Sequence, residues 1–251
     1  IYKLPLVYES QNVFDIIANH FGLEKSRGDS QRFEKIEKYL SNKMPTVTIG
    51  MVGKYFDVPD AYKSLNEALF HAGIQNNVHV KIKKIDSENF TTEQVSDVDG
   101  ILVPGGFGAR GIDGKIAAAK YARENKTPYM GICLGMQLFT QFSEEGNAEG
   151  LGWIKGNTIK FCFPEGAKIL KVPHMGWNNI QKKKESKLMN AIADDAMFYF
   201  VHSYHVQCKD TADCLTTTNY GIDFCSAVEK GNIYGTQFHP EKSHDCGFQM
   251  I

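Results

Sequence analysis

The chain has 251 residues, 42% hydrophobic and 23% charged, which is ordinary for a soluble globular protein, and its formal net charge of −1 gives no electrostatic case for nucleic acid or an acidic membrane surface. No window approaches the length of a transmembrane helix, and the N-terminus lacks a basic segment followed by an apolar core. The cysteines, at positions 133, 162, 208, 214, 225 and 246, show no C-x-x-C spacing, so neither zinc nor a dithiol motif is indicated, and a reactive thiol with scattered companions fits a reducing, cytoplasmic setting.

Residues 1–45 differ in texture from the rest. Val13, Ile16, Ile17 and His20 make one helical stripe, and Phe33, Ile36, Tyr39 and Leu40 make another. A polar loop, residues 24–30, separates them, and Pro45 closes the segment. Two such helices cannot bury their own apolar faces, so they are expected to pack on something else.

Residues 46–251 read as one α/β domain. Val47–Val52 is a first strand ending at Gly53. Asp60 caps a helix through Tyr62, Leu65, Ala68 and Leu69 that Gly73 stops. Val78, Val80 and Ile82 alternate as a second strand, and Ile101–Val103 is a third, opening into a glycine-rich loop, residues 104–111. Ile116–Tyr121 is a helix, and Tyr129–Ile132 a buried strand. Strand–helix alternation indicates a parallel sheet covered by helices, with functional loops at its carboxyl edge. Beyond Gly150, shorter β-like runs at 158–161, 168–172, 197–204, 213–217 and 225–228 suggest an antiparallel extension.

The glycine-rich loop lacks both G-x-G-x-x-G and the Lys-Ser/Thr of a P-loop, which argues against phosphate binding from spacing. His202 and His205 lack a partner at ligand spacing, so no metal site is read. The informative stretch is Gly131-Ile-Cys-Leu-Gly135, where Cys133 stands between a strand and a helix-compatible segment, Leu134–Phe142. A nucleophile flanked by glycines at two-residue spacing is the pattern of a nucleophile elbow, here with sulfur. Taken alone, the segment equally suits a buried structural cysteine. Gly235-Thr-Gln-Phe-His-Pro-Glu241 shifts the balance. A thiol needs a base, and the base needs a third group to fix its tautomer; His239 and Glu241, at the end of an apolar run, supply both.

The paired motifs G-I-C-L-G-M-Q and Q-F-H-P-E resemble the signature of the class I, triad-type glutamine amidotransferases. The resemblance implies a flavodoxin-like, three-layer α/β fold with a mostly parallel central sheet. It also implies L-glutamine as substrate, Cys133, His239 and Glu241 as the triad, and oxyanion donors at Leu134 and Gly106. No cofactor is expected in this domain. Up to about residue 139 the chain resembles the CTP synthase family (Val52–Tyr55, Asp60–Ser64, Pro104–Gly108, Arg110-Gly111). Residues 1–45 are similar to its interdomain linker, implying an upstream synthetase domain where ATP and magnesium act. From about residue 144 it resembles the glutaminase subunit of imidazole glycerol phosphate synthase (Gly150–Gly152, Pro173–Asn178, Phe200–Tyr204, His239–Ser243). The R-H-R-H-R-Y-E motif of the first family and the P-G-V-G loop of the second are absent.

The ammonia acceptor is therefore expected to be a CTP-synthase-type domain, the alternative being a cyclase subunit of the histidine pathway. A non-catalytic, partner-binding module is a third reading. By resemblance, Gln137, Glu145, Ser203, Tyr204 and Phe107 hold glutamine. Tyr55, Lys63 and Arg110, with Phe107, match positions associated with a GTP effector, and His174 and Trp177 match a partner-facing surface.

Overall fold

The computed structural model describes residues 2–24, 31–58, 60–106, 108, 110–164 and 170–251, without the side chain of Arg32. The chain forms two compact units, residues 1–46 with 73–79, and residues 47–72 with 80–251.

The first unit holds helices α1 (Leu4–Ser10), α2 (Val13–Phe21) and α3 (Gln31–Ser41). Two of these were expected, whereas α1, with Pro5 in its first turn, was not anticipated. Ile36 and Tyr39 of α3 are buried, with Tyr39 edge-on to His79 at 4.7 Å. No residue of α2 is buried, and Phe14, Ile16, Ile17 and Phe21 are exposed. The polar loop expected at 24–30 lies almost wholly outside the described residues.

The remaining elements, in chain order, are β1 (Thr46–Gly53), α4 (Lys63–Asn76), β2 (His79–Asp86), β3 (Gly100–Val103), α5 (Ile112–Glu124), β4 (Tyr129–Ile132) and α6 (Leu134–Gln137). Then follow β5 (Phe142–Ser143), β6 (Ala148–Glu149), β7 (Gly156–Lys160), β8 (His174–Asn179), β9 (Gln181–Lys182), β10 (Met197–His202) and β11 (Tyr204–Cys208). The chain ends through β12 (Cys214–Asn219), β13 (Asp223–Lys230), β14 (Ile233–Thr236) and α7 (His244–Met250).

The main sheet runs in the order β2-β1-β3-β4-β14-β13-β11-β7-β5-β6, with β12 and β9 branching from β13. Strands β1, β3, β4 and β14 are parallel, and β13, β11 and β7 continue antiparallel. The parallel strands are short, apolar and covered, as β3 shows with every residue buried. Helix α5 packs close because Ala118, Ala119 and Ala122 keep that face small. A second core gathers Phe198, Phe200, Phe224 and Phe238, each burial contributing about 1.5–3 kcal/mol.

Several boundaries differ from the sequence reading. Gly73 lies inside α4, and the helix ends instead at Asn76, just before Asn77, whose φ is 53°. The segment 134–142 is helical only to Gln137. Thr140 Oγ1 donates to Gln137 O at 2.9 Å, and Gln141 N donates across to Gly156 O at 2.9 Å, drawing the chain into β5. The run expected at 197–204 divides at Ser203, so that β10 pairs with β8 in a separate two-stranded sheet while β11 joins the main one. Residues 170–172, the described part of the run expected at 168–172, form no strand.

Candidate active site

Parallel pairing places the chemistry. Thr236 of β14 is in register with Ile132 of β4, and Val103 of β3 with Gly131. All three strands therefore release their chains at one edge, where Cys133, the segment Gln237–Glu241 and the Pro104–Gly106 loop emerge together. The separation of more than a hundred residues between Cys133 and His239 disappears in a single strand pairing.

Cys133 sits in the elbow with φ 54° and ψ −108°, a conformation costing a non-glycine residue about 1–3 kcal/mol. Its N–H donates to Thr236 O at 2.7 Å, and its carbonyl accepts from the N–H groups of Met136 and Gln137. The glycines are obligatory: a Cβ on Gly131 would stand 2.4 Å from Gly135 O, and one on Gly135 2.6 Å from Val103 O. Leu134 opens α6, so its N–H has no intrahelical acceptor.

His239 is buried beside Glu241, its Nδ1 2.8 Å from Oε1 of the carboxylate. Burial pushes the imidazole down. Interaction with the Cys133 sulfur and the hydrogen bond and charge of Glu241 push it further up, to about 9. Nε2, the atom left for proton transfer, is buried without a hydrogen bond of ordinary geometry. The two side chains flank one point: a Cβ on Gly105 would lie 3.2 Å from His239 Cε1 and 3.4 Å from Cys133 Cβ.

A cavity of about 370 Å³ opens here, lined by Cys133, His239, Glu241, Gly105, Gly106 and Tyr55 among others. Its walls also include Tyr62 and Val201, from the matching segments Asp60–Ser64 and Phe200–Tyr204 but given no role there, and Tyr199, outside them. Gln237 opens the Q-F-H-P-E motif, but the sequence reading assigned it no role. Fully buried, it donates from Nε2 to Cys133 Sγ at 3.6 Å, and its Oε1 accepts from Gln137 Nε2 at 3.1 Å. Its position two residues before His239, in register just past Thr236, was the available signal.

Gln137, Glu145, Ser203 and Tyr204 do not line this cavity. Gln137 is buried, bonded to Gln237 and to Tyr204 O at 3.2 Å. Glu145 lies in the turn after β5, its carboxyl raised by partial burial. Ser203 O accepts from Phe161 N. Strand pairing among β5, β7 and β11 brings these segments together. Phe107 lies outside the described residues. Lys63 is exposed and pairs with Asp60 at 3.8 Å, and Arg110 pairs with Glu88 at 3.0 Å. His174 is not at a surface: it is buried between Phe200 and Tyr220 and 3.1 Å from His202 Nε2, because alternation along β8 turns it inward. Trp177 is half exposed and stacks on His244.

The family model for class I glutamine amidotransferases matches residues 57–248. The chain belongs to this family. Among solved structures it is similar to the glutaminase domain of Trypanosoma brucei CTP synthase with bound acivicin, at 28% identity and TM-score 0.62, covering 81% of this chain and 91% of that one. It shares the fold of a Thermoplasma acidophilum protein assigned to GMP synthase (18% identity, TM-score 0.56, 83% and 91% covered). A glutamine amidotransferase from Thermotoga maritima is similar in fold at 15% identity and TM-score 0.55, with 78% and 76% covered. The mixed sheet, mostly parallel at its centre with antiparallel strands beyond, is that of the class I amidotransferases, as the resemblance implied. Among the described residues, no helix is long and apolar enough to cross a membrane.

Proposed function

We propose that this chain hydrolyses L-glutamine to glutamate and ammonia through Cys133, His239 and Glu241. The observation that carries the reading is the convergence of the three on one cavity at the edge of two paired parallel strands. The Cys133 sulfur attacks the side-chain amide carbon, and the oxyanion is met by the N–H groups of Leu134 and Gly106. His239, holding its proton near neutrality, gives it to the departing ammonia and leaves a γ-glutamyl thioester. The neutral ring then takes a proton from water, whose oxygen attacks the thioester to release glutamate and the thiolate. Glu241 fixes the ring with Nδ1 toward the carboxylate, so that Nε2 serves the reaction.

Ammonia passes to a synthetase domain. Similarity to a CTP synthase glutaminase domain over 81% of the chain favours an acceptor that aminates UTP, with ATP and magnesium acting there. A cyclase subunit is the second reading, favoured by the exposed Met175, Trp177 and Met197 on the separate sheet of β8 and β10. Co-purification with a synthetase or a cyclase decides between them. Of the effector positions, Tyr55 lines the cavity, and a GTP titration leaving the glutaminase rate unchanged would remove that role. The central test is Cys133→Ala, which is expected to abolish glutamine hydrolysis. Retained turnover would refute the mechanism. A glutamine-like chloroketone should label Cys133 selectively; failure to do so would favour a non-catalytic module.

A further inference from the structure

Lys115 is a lysine in an unfavourable place. It is 1% exposed, so its ammonium cannot reach water along its aliphatic stem. It stands in the first turn of α5, the helix end whose macrodipole repels a cation. No carboxylate pairs with it among the described residues. Its Nζ donates to Pro104 O at 3.2 Å, and the charged groups that act on it are Lys54 and Cys133. Burial, with Lys54, lowers the ammonium to about 8, and the negative charge of Cys133 opposes that shift. A buried cation with no carboxylate beside it is costly, and such an arrangement persists where a further anion forms during turnover.

The geometry indicates where that anion arises. Pro104 begins the loop whose Gly105 and Gly106 line the cavity. A Cβ on Gly106 would lie 3.3 Å from Lys115 Nζ, so the ammonium stands against the loop, and Lys115 is not among the residues that line the cavity. We propose that Lys115 is a positioning residue for the oxyanion site, holding the Pro104–Gly106 loop through the Pro104 carbonyl and lending it a positive charge that the oxyanion of the tetrahedral intermediate meets. This rests on the glutaminase reading above. Lys115 does not touch glutamine; it acts through the loop, so it should affect the step in which negative charge appears on oxygen and leave ground-state binding alone.

The test compares two reactions of the same sulfur. Glutamine hydrolysis builds an oxyanion, whereas alkylation by iodoacetamide displaces iodide directly and builds none. Lys115→Met keeps the side-chain length and apolar volume, and Lys115→Gln keeps a donor for Pro104 O without the charge. For Lys115→Met, kcat should fall by ~10–100-fold, less than or comparable to loss of a direct oxyanion donor, while KM and the Cys133 alkylation rate stay within about threefold. Lys115→Gln should recover only part of the loss. Unchanged kcat in Lys115→Met would overturn the proposal, as would an equal fall in alkylation, which would place the effect on the nucleophile or on folding. Full activity in Lys115→Gln would overturn the role of the charge. Absence of glutamine turnover in the unaltered chain would instead overturn the glutaminase reading itself.

Discussion

Two groups of histidines in this molecule are about equally buried and behave in opposite ways. His239, at the carboxyl edge of the parallel strands, is raised to about 9, although burial alone pushes it down. His202 and His174, among the aromatic rings of the second core, are lowered to about 3 and about 4 by that same burial, and His205 is lowered too. The difference lies in the immediate neighbours. His239 meets a carboxylate and a sulfur, whereas His202 meets the Tyr204 carbonyl, His174 and the face of Phe161. Depth alone makes an imidazole a neutral packing unit, and anionic neighbours at the same depth make it an acid.

The comparison is broken most severely at His239. His239→Asn removes the proton carrier, and kcat for glutamine should fall by ~10²–10⁴-fold, measured as glutamate release. The corresponding change in the aromatic cluster, His202→Asn, should leave kcat within about threefold while lowering the thermal midpoint. Equal activity losses would show that the two groups are not functionally distinct. Glu241→Gln keeps a polar partner for Nδ1 but removes the charge. It should cost ~10²–10³-fold in kcat and shift the alkaline limb of the rate profile below the value of about 9 expected for His239. A limb that stays in place would assign it to another group.

A smaller effect is expected at Gln237, which connects the nucleophile to the interior. Gln237→Leu deletes the donor to Cys133 Sγ and leaves Gln137 Nε2 with only the Tyr204 carbonyl. One such hydrogen bond is worth about 0.5–1.5 kcal/mol, so the iodoacetamide reactivity of Cys133 should change by about 2–10-fold in rate. An unchanged alkylation profile would reduce Gln237 to a packing role.

How much of this was legible in the sequence follows from the range of the forces involved. The elbow could be read because glycines flank Cys133 within five residues, Gly131 answering a local clash with Gly135, although Gly135 itself answers to Val103 on β3. His239 and Glu241 could be read because a short motif carries them together. The parallel strands were visible as apolar runs, and their order follows from topology rules that need no side-chain detail. Lys115 and the role of Gln237 within its motif were not legible, since each acquires its meaning from a partner in another element: the Pro104 carbonyl for one, Cys133 for the other. Trimming of the helix after Cys133 was hidden for a similar reason, because Gln141 bonds to Gly156 across the chain. His174 reads as a surface residue in the motif and is buried because β8 pairs with β10, a pairing the segment does not announce.

The weakest but most general consequence concerns pH and stability. Unfolded, each histidine titrates near 6.5; folded, His202 does so near 3 and His174 near 4. Between those values the unfolded chain binds more protons, so stability rises with pH, is fully present above 6.5, and is lost as pH falls through the interval. His239 runs the other way: its contribution is fully present below 6.5 and lost as pH rises toward about 9. The urea midpoint should therefore decline on both sides of neutrality for two unrelated reasons. From pH 6.5 to 4, one buried histidine contributes about 3 kcal/mol of acid sensitivity, which His202→Phe should reduce while leaving the alkaline decline intact. His239→Asn should flatten the alkaline side and leave the acid side unaltered. If His202→Phe leaves the acid limb as steep as before, the cluster is accessible to protons in the folded state, and burial is not what separates it from the catalytic edge.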